Sequence, residues 1–300
     1  MTDFTAIDFE TANGHLPIII GRDSYNNDVI IDLCRLPHLL ISGASGTGKT
    51  GCLNSIITSL LCKKQSSELK FVFIDPKIVE LYPYTKLNKS FIAQLEGEED
   101  GVITDCDTAK RILDSLSEEI DRRYLLLHKA NAKSIVEYND KCAKELISLD
   151  EGHSPMPYIV IAIDEFADLM YMFGEAIEHP LFRIATLGRC VGIHLVLTTM
   201  RPSEDVTTYH LTPNLPARIA FRMNNCDDSI RVIDCESAAY LKSRGDMLFS
   251  YSNSINYLKG AFIESHEVES IIKCINSRQK DYQPYILPCV QDDNKYSCFL

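Results

Sequence analysis

Residues 43–50 combine glycines, a lysine and a threonine in a spacing that suits phosphate chemistry. They read Gly-Ala-Ser-Gly-Thr-Gly-Lys-Thr. The glycines allow the backbone to turn so that successive N–H groups point at phosphate oxygens. Lys49 adds a positive charge for the β- and γ-phosphates, and Thr50 offers a hydroxyl to Mg²⁺. The predicted nucleotide-binding residues are Gly43, Ala44, Ser45, Gly46, Thr47, Gly48, Lys49, Thr50 and Gly51.

The flanks of this loop argue against a chance match. The apolar run at residues 38–41 predicts a strand before the loop. Apolar residues spaced as on one face of a helix follow it, namely Cys52, Ile56, Ile57, Leu60 and Leu61. A phosphate-binding loop requires this order of strand, loop and helix, with the positive end of the helix facing the phosphates. We therefore predict binding of a nucleoside triphosphate, with ATP and Mg²⁺ as the cofactors.

A second motif supplies carboxylates. The apolar run at residues 158–163 lacks alternation, as in a parallel strand buried on both faces, and ends in Asp164 and Glu165. At the carboxyl end of such a strand, Asp164 is placed to hold the metal and Glu165 to orient an attacking water molecule. A solvated acidic turn is the alternative for this motif taken alone. Together with the phosphate loop, it predicts hydrolysis of the bound nucleotide.

Composition limits the remaining classes of function. The chain has 300 residues, 45% of them hydrophobic, and no run of about 18 apolar residues that would predict a membrane span. We also find no secretory signal, and the eleven cysteines show neither Cys-x-x-Cys nor zinc-like spacing, so we expect reduced thiols in the cytoplasm. The net charge of −12 is unusual for a DNA-binding protein. It does not exclude DNA binding, because only the surface that contacts DNA, such as the lining of a pore, needs to be basic.

The order of elements predicts an α/β fold with a mostly parallel central sheet flanked by helices. Predicted strands lie at residues 37–42, 70–74, 158–163, 193–199 and 217–222, and the clearest helix spans residues 108–130. Loops are expected at residues 95–107 and 141–157. We divide the chain into a short extension (residues 1–15), one large α/β domain (16–280) that carries both motifs, and a polar tail (281–300).

Several phrases, in the same order, resemble the FtsK/SpoIIIE-type DNA translocases. The similarity runs from about Leu16 to about Lys273. The phrases that carry it are Ile20-Gly21-Arg22-Asp23, Asp75-Pro76-Lys77, Asp164-Glu165-Phe166-Ala167-Asp168-Leu169, Gly192-Ile193-His194-Leu195, Arg201-Pro202-Ser203, Pro216-Ala217-Arg218-Ile219-Ala220-Phe221 and Gly245-Asp246-Met247-Leu248. The resemblance implies a RecA-like P-loop NTPase domain that assembles as a hexameric ring and moves double-stranded DNA through its pore.

The resemblance also assigns roles to single residues. Lys49 and Thr50 bind nucleotide and metal, while Asp164 and Glu165 form the hydrolytic pair. Arg189 matches the arginine finger, a guanidinium that enters the site of a neighbouring subunit and stabilises charge on the γ-phosphate. Its alternative is an arginine at a helix end that pairs with a carboxylate. The catalytic residues predicted in this way are Glu165, Lys49 and Arg189, and Thr50 and Asp164 are the predicted metal ligands.

Three departures from the family pattern are visible. Met200 stands where the family has a glutamine that can sense the γ-phosphate, and Thr198 or Thr199 could compensate. Ile230 stands where the family has arginine. Ser243 and Arg244 replace the Gly-Met that usually precedes Gly245. These changes concern coupling between subunits more than nucleotide binding.

Two further function classes stay open at this stage. One is a protein-translocating ATPase of the type VII secretion kind, and the other is a slow, nucleotide-dependent scaffold. The absence of membrane segments and flanking domains favours a reduced motor from a mobile element, a phage or an accessory system, for which a membrane-bound, conjugation or phage partner is expected. Asp8 and Glu10 resemble the first motif of DnaQ-type exonucleases, but motor sequence begins too soon after them to complete a two-metal site.

Overall fold

The computed structural model describes residue 12 and residues 14–148, 152–279 and 283–289, which contain eleven strands and seven α-helices. The strands are β1 (Pro17–Arg22), β2 (Asp28–Asp32), β3 (Leu39–Ser42), β4 (Leu69–Ile74), β5 (Ala93–Gln94), β6 (Tyr158–Ile163), β7 (Ile193–Thr199), β8 (Ala217–Phe221), β9 (Asp246–Tyr251), β10 (Ser254–Gly260) and β11 (Tyr285–Ile286). The helices are α1 (Lys49–Lys63), α2 (Cys106–Lys129), α3 (Ile135–Ala143), α4 (Phe166–Phe173), α5 (Glu175–Val191), α6 (Cys226–Ile233) and α7 (Ser265–Arg278). Asp8 and Glu10 lie outside the described residues.

Five parallel strands form the core of the main sheet, in the order β8-β3-β7-β6-β4. Every residue of β6 and β7 is buried, which explains why their sequences are apolar without alternation. All five predicted strands are present, with ends that differ from the prediction by no more than two residues. The carboxyl ends of these strands share one edge of the sheet, and the predicted site residues other than Arg189 follow β3 and β6 there.

Four antiparallel strands extend the sheet beyond β8, so that its full order is β2-β1-β10-β9-β8-β3-β7-β6-β4. The sequence did not reveal these strands. Most of β10 is exposed, and every residue of β2 is half-buried. Such strands lack the long apolar runs that mark the parallel core. The predicted α/β class therefore holds for the core, and the antiparallel extension is an addition to it.

Helix α1 is fixed to the sheet by polar contacts as well as by apolar packing. Ser55 Oγ donates to the carbonyl oxygen of Ile19 at 2.9 Å, and the Ile19 N–H donates to Ser59 Oγ at 3.2 Å. These bonds fasten the helix to β1, and residues 51–61 of the helix are all buried. The first turn of α1, which completes the phosphate loop, is held in place by this attachment.

Residues 283–289 differ from the predicted polar tail, because they are folded onto the domain. Tyr285 and Ile286 form β11, which pairs in parallel with β5. The Tyr285 hydroxyl donates to Glu119 Oε1 at 2.7 Å, and Leu287 is buried. The apolar side chains of this segment, interrupted by prolines, were too few to predict a strand. Among the described residues, no helix combines the length and apolar character needed to cross a bilayer.

Candidate functional site

The phosphate loop joins β3 to α1 and is fixed by bonds to two neighbouring strands. The Gly43 N–H donates to the carbonyl of Thr199, the last residue of β7, at 3.3 Å, and the Ala44 N–H donates to that of Arg222, just after β8, at 2.8 Å. Within the loop, Thr47 Oγ1 donates to the Ala44 carbonyl at 2.7 Å. The loop is therefore held in a defined shape by the strands on both sides of β3.

The amino-terminal end of α1 offers backbone N–H groups to an anion. Gly48 is the residue before the helix, and its φ of 130° is one that residues with a side chain rarely adopt. A Cβ atom there would also lie 2.9 Å from the ring of Phe221. Gly48 provides no side-chain cap, and the first helical turn carries no acidic residue. The N–H groups and the positive helix end are thus available to phosphates.

Lys49 lies at the start of α1 and bends back over the loop. Its Nζ donates to the carbonyl oxygens of Gly43 at 2.8 Å and Ala44 at 3.0 Å. Burial lowers the pKa of Lys49, and the charges of Glu165 and Asp164 oppose this shift. The predicted lysine and the predicted carboxylates therefore lie close enough to interact electrostatically.

The two carboxylates at the end of β6 are held by two consecutive threonines of β7. Thr198 Oγ1 donates to Asp164 Oδ1 at 2.7 Å, and Thr199 Oγ1 donates to Glu165 Oε1 at 2.7 Å. Glu165 has a left-handed backbone, with φ of 49°, and accepts a further bond from the Met200 N–H at 2.9 Å. A non-glycine residue in this conformation is strained, and such strain often accompanies functional positions.

Met200 therefore contributes through its backbone, although its side chain cannot donate a hydrogen bond as glutamine would. Its N–H reaches Glu165 Oε2, and the next N–H, of Arg201, donates to Thr199 Oγ1 at 3.0 Å. With methionine at position 200, the Glu165 carboxylate is therefore still held by the Thr199 hydroxyl and by the Met200 N–H.

Asp164 has surroundings that suit a cation. Burial raises its pKa to about 6, while the hydrogen bond from Thr198 opposes the shift and the charges of Asp75 and Glu80 add to it. A carboxylate crowded by other negative charges is stabilised by a nearby divalent cation. Within the described residues, no group of three or more histidine, cysteine or acidic side chains is arranged to hold a metal by itself. The Thr50 hydroxyl and the Asp164 carboxylate are hard oxygen donors of the kind that Mg²⁺ takes.

Asp75 organises the loop after β4 beside these carboxylates. Its fully buried carboxylate accepts backbone N–H bonds from Lys77, Val79, Glu80 and Leu81 at 2.9–3.1 Å. Four such bonds to one side chain fix the path of residues 77–81. Asp75 of the Asp75-Pro76-Lys77 phrase therefore shapes the loop beside the candidate site.

Sequence reasoning missed a charged cluster at the mouth of the site. Asp168 on α4 forms ion pairs with Arg201 and with Lys77, the latter at 2.7 Å. The Arg201 guanidinium lies 5.0 Å from the centre of the Tyr171 ring and 3.9 Å from Glu165 Oε1. Arg201 was visible only as part of a family phrase, and no local signal indicated which carboxylate it would meet.

Arg189 does not join the other predicted site residues. It is exposed in the last turn of α5, just before β7 begins. Lys49 and Glu165 lie at the opposite edge of the sheet, across the seven residues of β7, or roughly 20 Å at the usual rise per strand residue. Within the described residues it forms no salt bridge, so the alternative of an ion pair at the helix end finds no support. Arg189 is too distant to act on a nucleotide bound to its own subunit.

Comparison with known proteins places this geometry in a family. The model of the FtsK/SpoIIIE family matches residues 2–204. A DNA translocase FtsK from Chlorobaculum tepidum is 38% identical over 273 residues, which are 90% of this chain and 33% of the relative. A DNA translocase FtsK from Oceanobacillus iheyensis is 37% identical over 272 residues, or 90% of this chain and 34% of the relative. The chain spans about a third of the length of these curated relatives.

Solved structures show the same fold. The structure of a conjugation coupling protein, TcpA of pCW3, was determined with ATPγS and aligns with a TM-score of 0.72 at 26% identity. The alignment covers 87% of this chain and 70% of the TcpA chain. The cytoplasmic domain of the type VII secretion ATPase EccC of Thermomonospora curvata aligns with a TM-score of 0.71 at 22% identity, covering 92% of this chain and 33% of its own. The predicted RecA-like P-loop fold is confirmed, and the chain belongs to the FtsK/SpoIIIE family.

Proposed function

We propose that this chain is an ATP-hydrolysing motor domain that moves along double-stranded DNA. The observation that carries the proposal is the fixed carboxylate of Glu165, held by Thr199 and the Met200 N–H at the same sheet edge as the phosphate loop. Relatives that are 38% and 37% identical bear the name DNA translocase FtsK, which supports DNA as the substrate. TcpA, which was determined with ATPγS, supports a nucleoside triphosphate as the fuel.

In this proposal, residues 43–51 bind the phosphates of ATP through backbone N–H groups and Lys49. Mg²⁺, held by Thr50 and Asp164 together with phosphate oxygens, would offset the phosphate charge. Glu165 accepts a proton from the attacking water and orients it towards the γ-phosphorus. Lys49 stabilises the charge that develops on the transferred group.

Arg189 completes the site from a neighbouring copy of the chain. Its exposed position, at the sheet edge opposite the phosphate loop, suits a side chain that faces the nucleotide of the next subunit. A head-to-tail contact of this kind repeats and closes into a ring when the rotation allows, and a hexamer is our proposal here. The Arg189 guanidinium then stabilises the γ-phosphate in the transition state.

The alternative of a protein-translocating ATPase is favoured by one property, the net charge of −12. The likeness to EccC, at 22% identity, concerns the fold alone. The greater identity to DNA translocases leads us to prefer DNA. A membrane, conjugation or phage partner would bring the motor to its cargo, and the cytoplasm is where we expect it to act.

Steady-state ATP hydrolysis with Mg²⁺, with and without long linear duplex DNA, tests the proposal. Glu165→Gln is the matched control, because it keeps an acceptor oxygen for Thr199 while removing the base. We expect several-fold stimulation by duplex DNA, loss of turnover in the variant, and weaker stimulation as salt increases. Turnover that ignores DNA would favour a protein-translocating ATPase, and an absence of turnover would favour a nucleotide-dependent scaffold.

A further inference from the structure

A cavity of about 530 Å³ lies between α2, the loop before β6 and the segment that contains β11. Met156 and Pro157 of the loop line one side, and residues 284–288 line the other. The loop leads into the amino-terminal end of β6, whereas Glu165 follows the carboxyl-terminal end of this strand of 6 residues, roughly 20 Å away at the usual rise per residue. The cavity is therefore separate from the nucleotide site. Its volume falls within the roughly 300–1,000 Å³ of pockets that enclose ligands.

Two arginines that share one carboxylate leave a positive charge beside this cavity. Arg122 Nε and Arg123 Nε each donate to an oxygen of Glu119 at 2.7 Å. Among the described residues, Glu119 is the only carboxylate that forms a salt bridge with either guanidinium, so two positive charges face one negative charge. No acidic side chain of the described part of the chain lines the cavity. The excess charge favours an anionic ligand over a cationic one.

Arg122 is the arginine of this pair that lines the cavity. Its Nη2 donates to Glu119 Oε1 at 2.8 Å and to the Tyr285 hydroxyl at 2.7 Å, which fixes the plane of the guanidinium. The side chain is 47% exposed, and its Nη1 donates to no described residue. Arg122 can therefore bind a carboxylate in the cavity while it stays bonded to Glu119. The buried Arg123 instead holds the wall, because its Nη1 donates to the carbonyl oxygen of Pro157 at 2.8 Å.

The outer edge of β11 offers one residue for main-chain pairing. The N–H groups of Tyr285 and Leu287 donate to carbonyl oxygens of the β5 segment at 2.8 and 2.9 Å, so the N–H and C=O of Ile286 between them point away from β5. Pro284 and Pro288 have no N–H, which leaves that of Ile286 as the donor on this side. No described strand pairs with this edge. No described residue of β5 lines the cavity, which therefore lies along the outer edge.

We propose that this cavity binds an extended peptide segment of a partner protein, one that carries an acidic residue beside apolar residues. The segment pairs with the main chain of Ile286, inserts apolar side chains beside Leu126 and Met156, and sets its carboxylate against Arg122. Arg122 is the one basic residue of the described lining, and the row of cations that a nucleic acid backbone needs is missing there. A peptide, which can also use the Ile286 edge, therefore fits better than a nucleic acid.

Selection from a random octapeptide display library on the immobilised protein, without nucleotide, tests this assignment. The selected peptides are labelled with fluorescein and titrated by fluorescence polarisation. Arg122→Gln removes the charge at the cavity, and Ile286→Pro removes the outward N–H while both N–H bonds to the β5 segment remain. The matched controls are Arg111→Gln, at an exposed arginine of α2, and Ile286→Ala, which keeps the N–H.

We expect the selected peptides to share an acidic residue flanked by apolar residues. Their affinity should fall by about tenfold or more in Arg122→Gln and in Ile286→Pro, because each variant removes a hydrogen bond to the peptide. In the two controls it should fall by less than about threefold. Circular dichroism checks that each variant is folded, and Arg122→Gln decides the test by itself if Ile286→Pro does not fold.

Three results would overturn the peptide site. One is the selection of no peptide, or only of peptides that lack acidic residues. Another is binding that is as tight in Arg122→Gln and Ile286→Pro as in the unaltered protein. The third is displacement of the peptides by octanoate at equal concentration, because a small apolar carboxylate would then be the better ligand. None of these results bears on ATP turnover, which the motor proposal assigns to Glu165 at the other edge of the sheet.

Discussion

Thr199 Oγ1 donates a 2.7 Å hydrogen bond to Glu165 Oε1, although the two residues are 34 positions apart in the chain. The preceding residue, Thr198, donates a bond of the same length to Asp164 Oδ1. Successive side chains of a strand point to opposite faces, so adjacent threonines can each serve one of two adjacent carboxylates. The pair of β7 threonines therefore sets the direction of both acidic groups.

Thr199→Val should reduce the turnover number for ATP without a comparable change in KM. Valine has nearly the same shape, but it removes the donor that orients Glu165, and we expect a loss of about tenfold or more. Steady-state kinetics check this, with Thr186→Val on the exposed face of α5 as the control. An unchanged turnover number would mean that the Met200 N–H alone suffices to orient Glu165.

Arg189→Ala should abolish most hydrolysis while nucleotide binding is retained, because an arginine finger is worth about 10³–10⁵ in rate in related phosphoryl-transfer enzymes. The separation of Arg189 from its own phosphate loop allows a sharper measurement. When Arg189→Ala subunits are mixed with Glu165→Gln subunits, the intact finger of one can serve the intact site of the other.

Recovery of activity on mixing, beyond that of either variant alone, supports action between subunits. Mixtures that stay as inactive as the separate variants would contradict it. Lys129→Ala, at the exposed end of α2, is a control for the removal of a surface cation.

Asp75→Asn should lower the free energy of unfolding by about 2 kcal/mol, because charge-assisted hydrogen bonds are stronger than neutral ones and the site is fully buried. Asparagine can still accept bonds through one oxygen, but its NH₂ group faces a backbone donor. Urea unfolding measures the change, with the exposed Asp100→Asn as the control. Equal stabilities of the two variants would show that the Asp75 bonds are replaceable.

Glu119→Gln should also destabilise the protein, by about 3 kcal/mol at neutral pH, because it breaks a buried ion pair. Glu119 Oε1 accepts from the buried Arg123 Nε at 2.7 Å, and Arg122 donates to both carboxylate oxygens. Glu118→Gln, exposed on the same helix, is the control.

The effect of Glu119→Gln should depend on pH. Burial alone would raise the pKa of Glu119, but the hydrogen bonds from Arg122 and the charge of Arg123 outweigh it and lower the pKa below its usual 4.5. Stability from the ionised carboxylate is therefore present above pH 4.5 and is lost as the pH falls through the lower folded value. In urea unfolding, the difference in free energy of unfolding between the protein and Glu119→Gln should be smaller at acidic pH than at pH 7. A constant difference would argue that packing, rather than charge, explains the effect.

The parallel core was predictable because each strand is buried on both faces and so carries an uninterrupted apolar run. The extension formed by β1, β2, β9 and β10 was not. β2 and β10 are half-buried or exposed and leave weak patterns, while β1 and β9 are largely buried but join the sheet by antiparallel pairing with other segments of the chain. Residues 283–289 show the same limit: β11 depends on pairing with β5, nearly 200 residues earlier. Local sequence contains no record of that pairing.

The sequence by itself determined the phosphate loop, the strand that ends in Asp164 and Glu165, and the family. These features are encoded in contiguous residues whose backbone preferences and burial act locally. Only the tertiary structure decided that Thr199 orients Glu165 and that Arg201 meets Asp168. Each of these contacts joins residues from different elements, so it exists only once the sheet has brought their ends to a common edge.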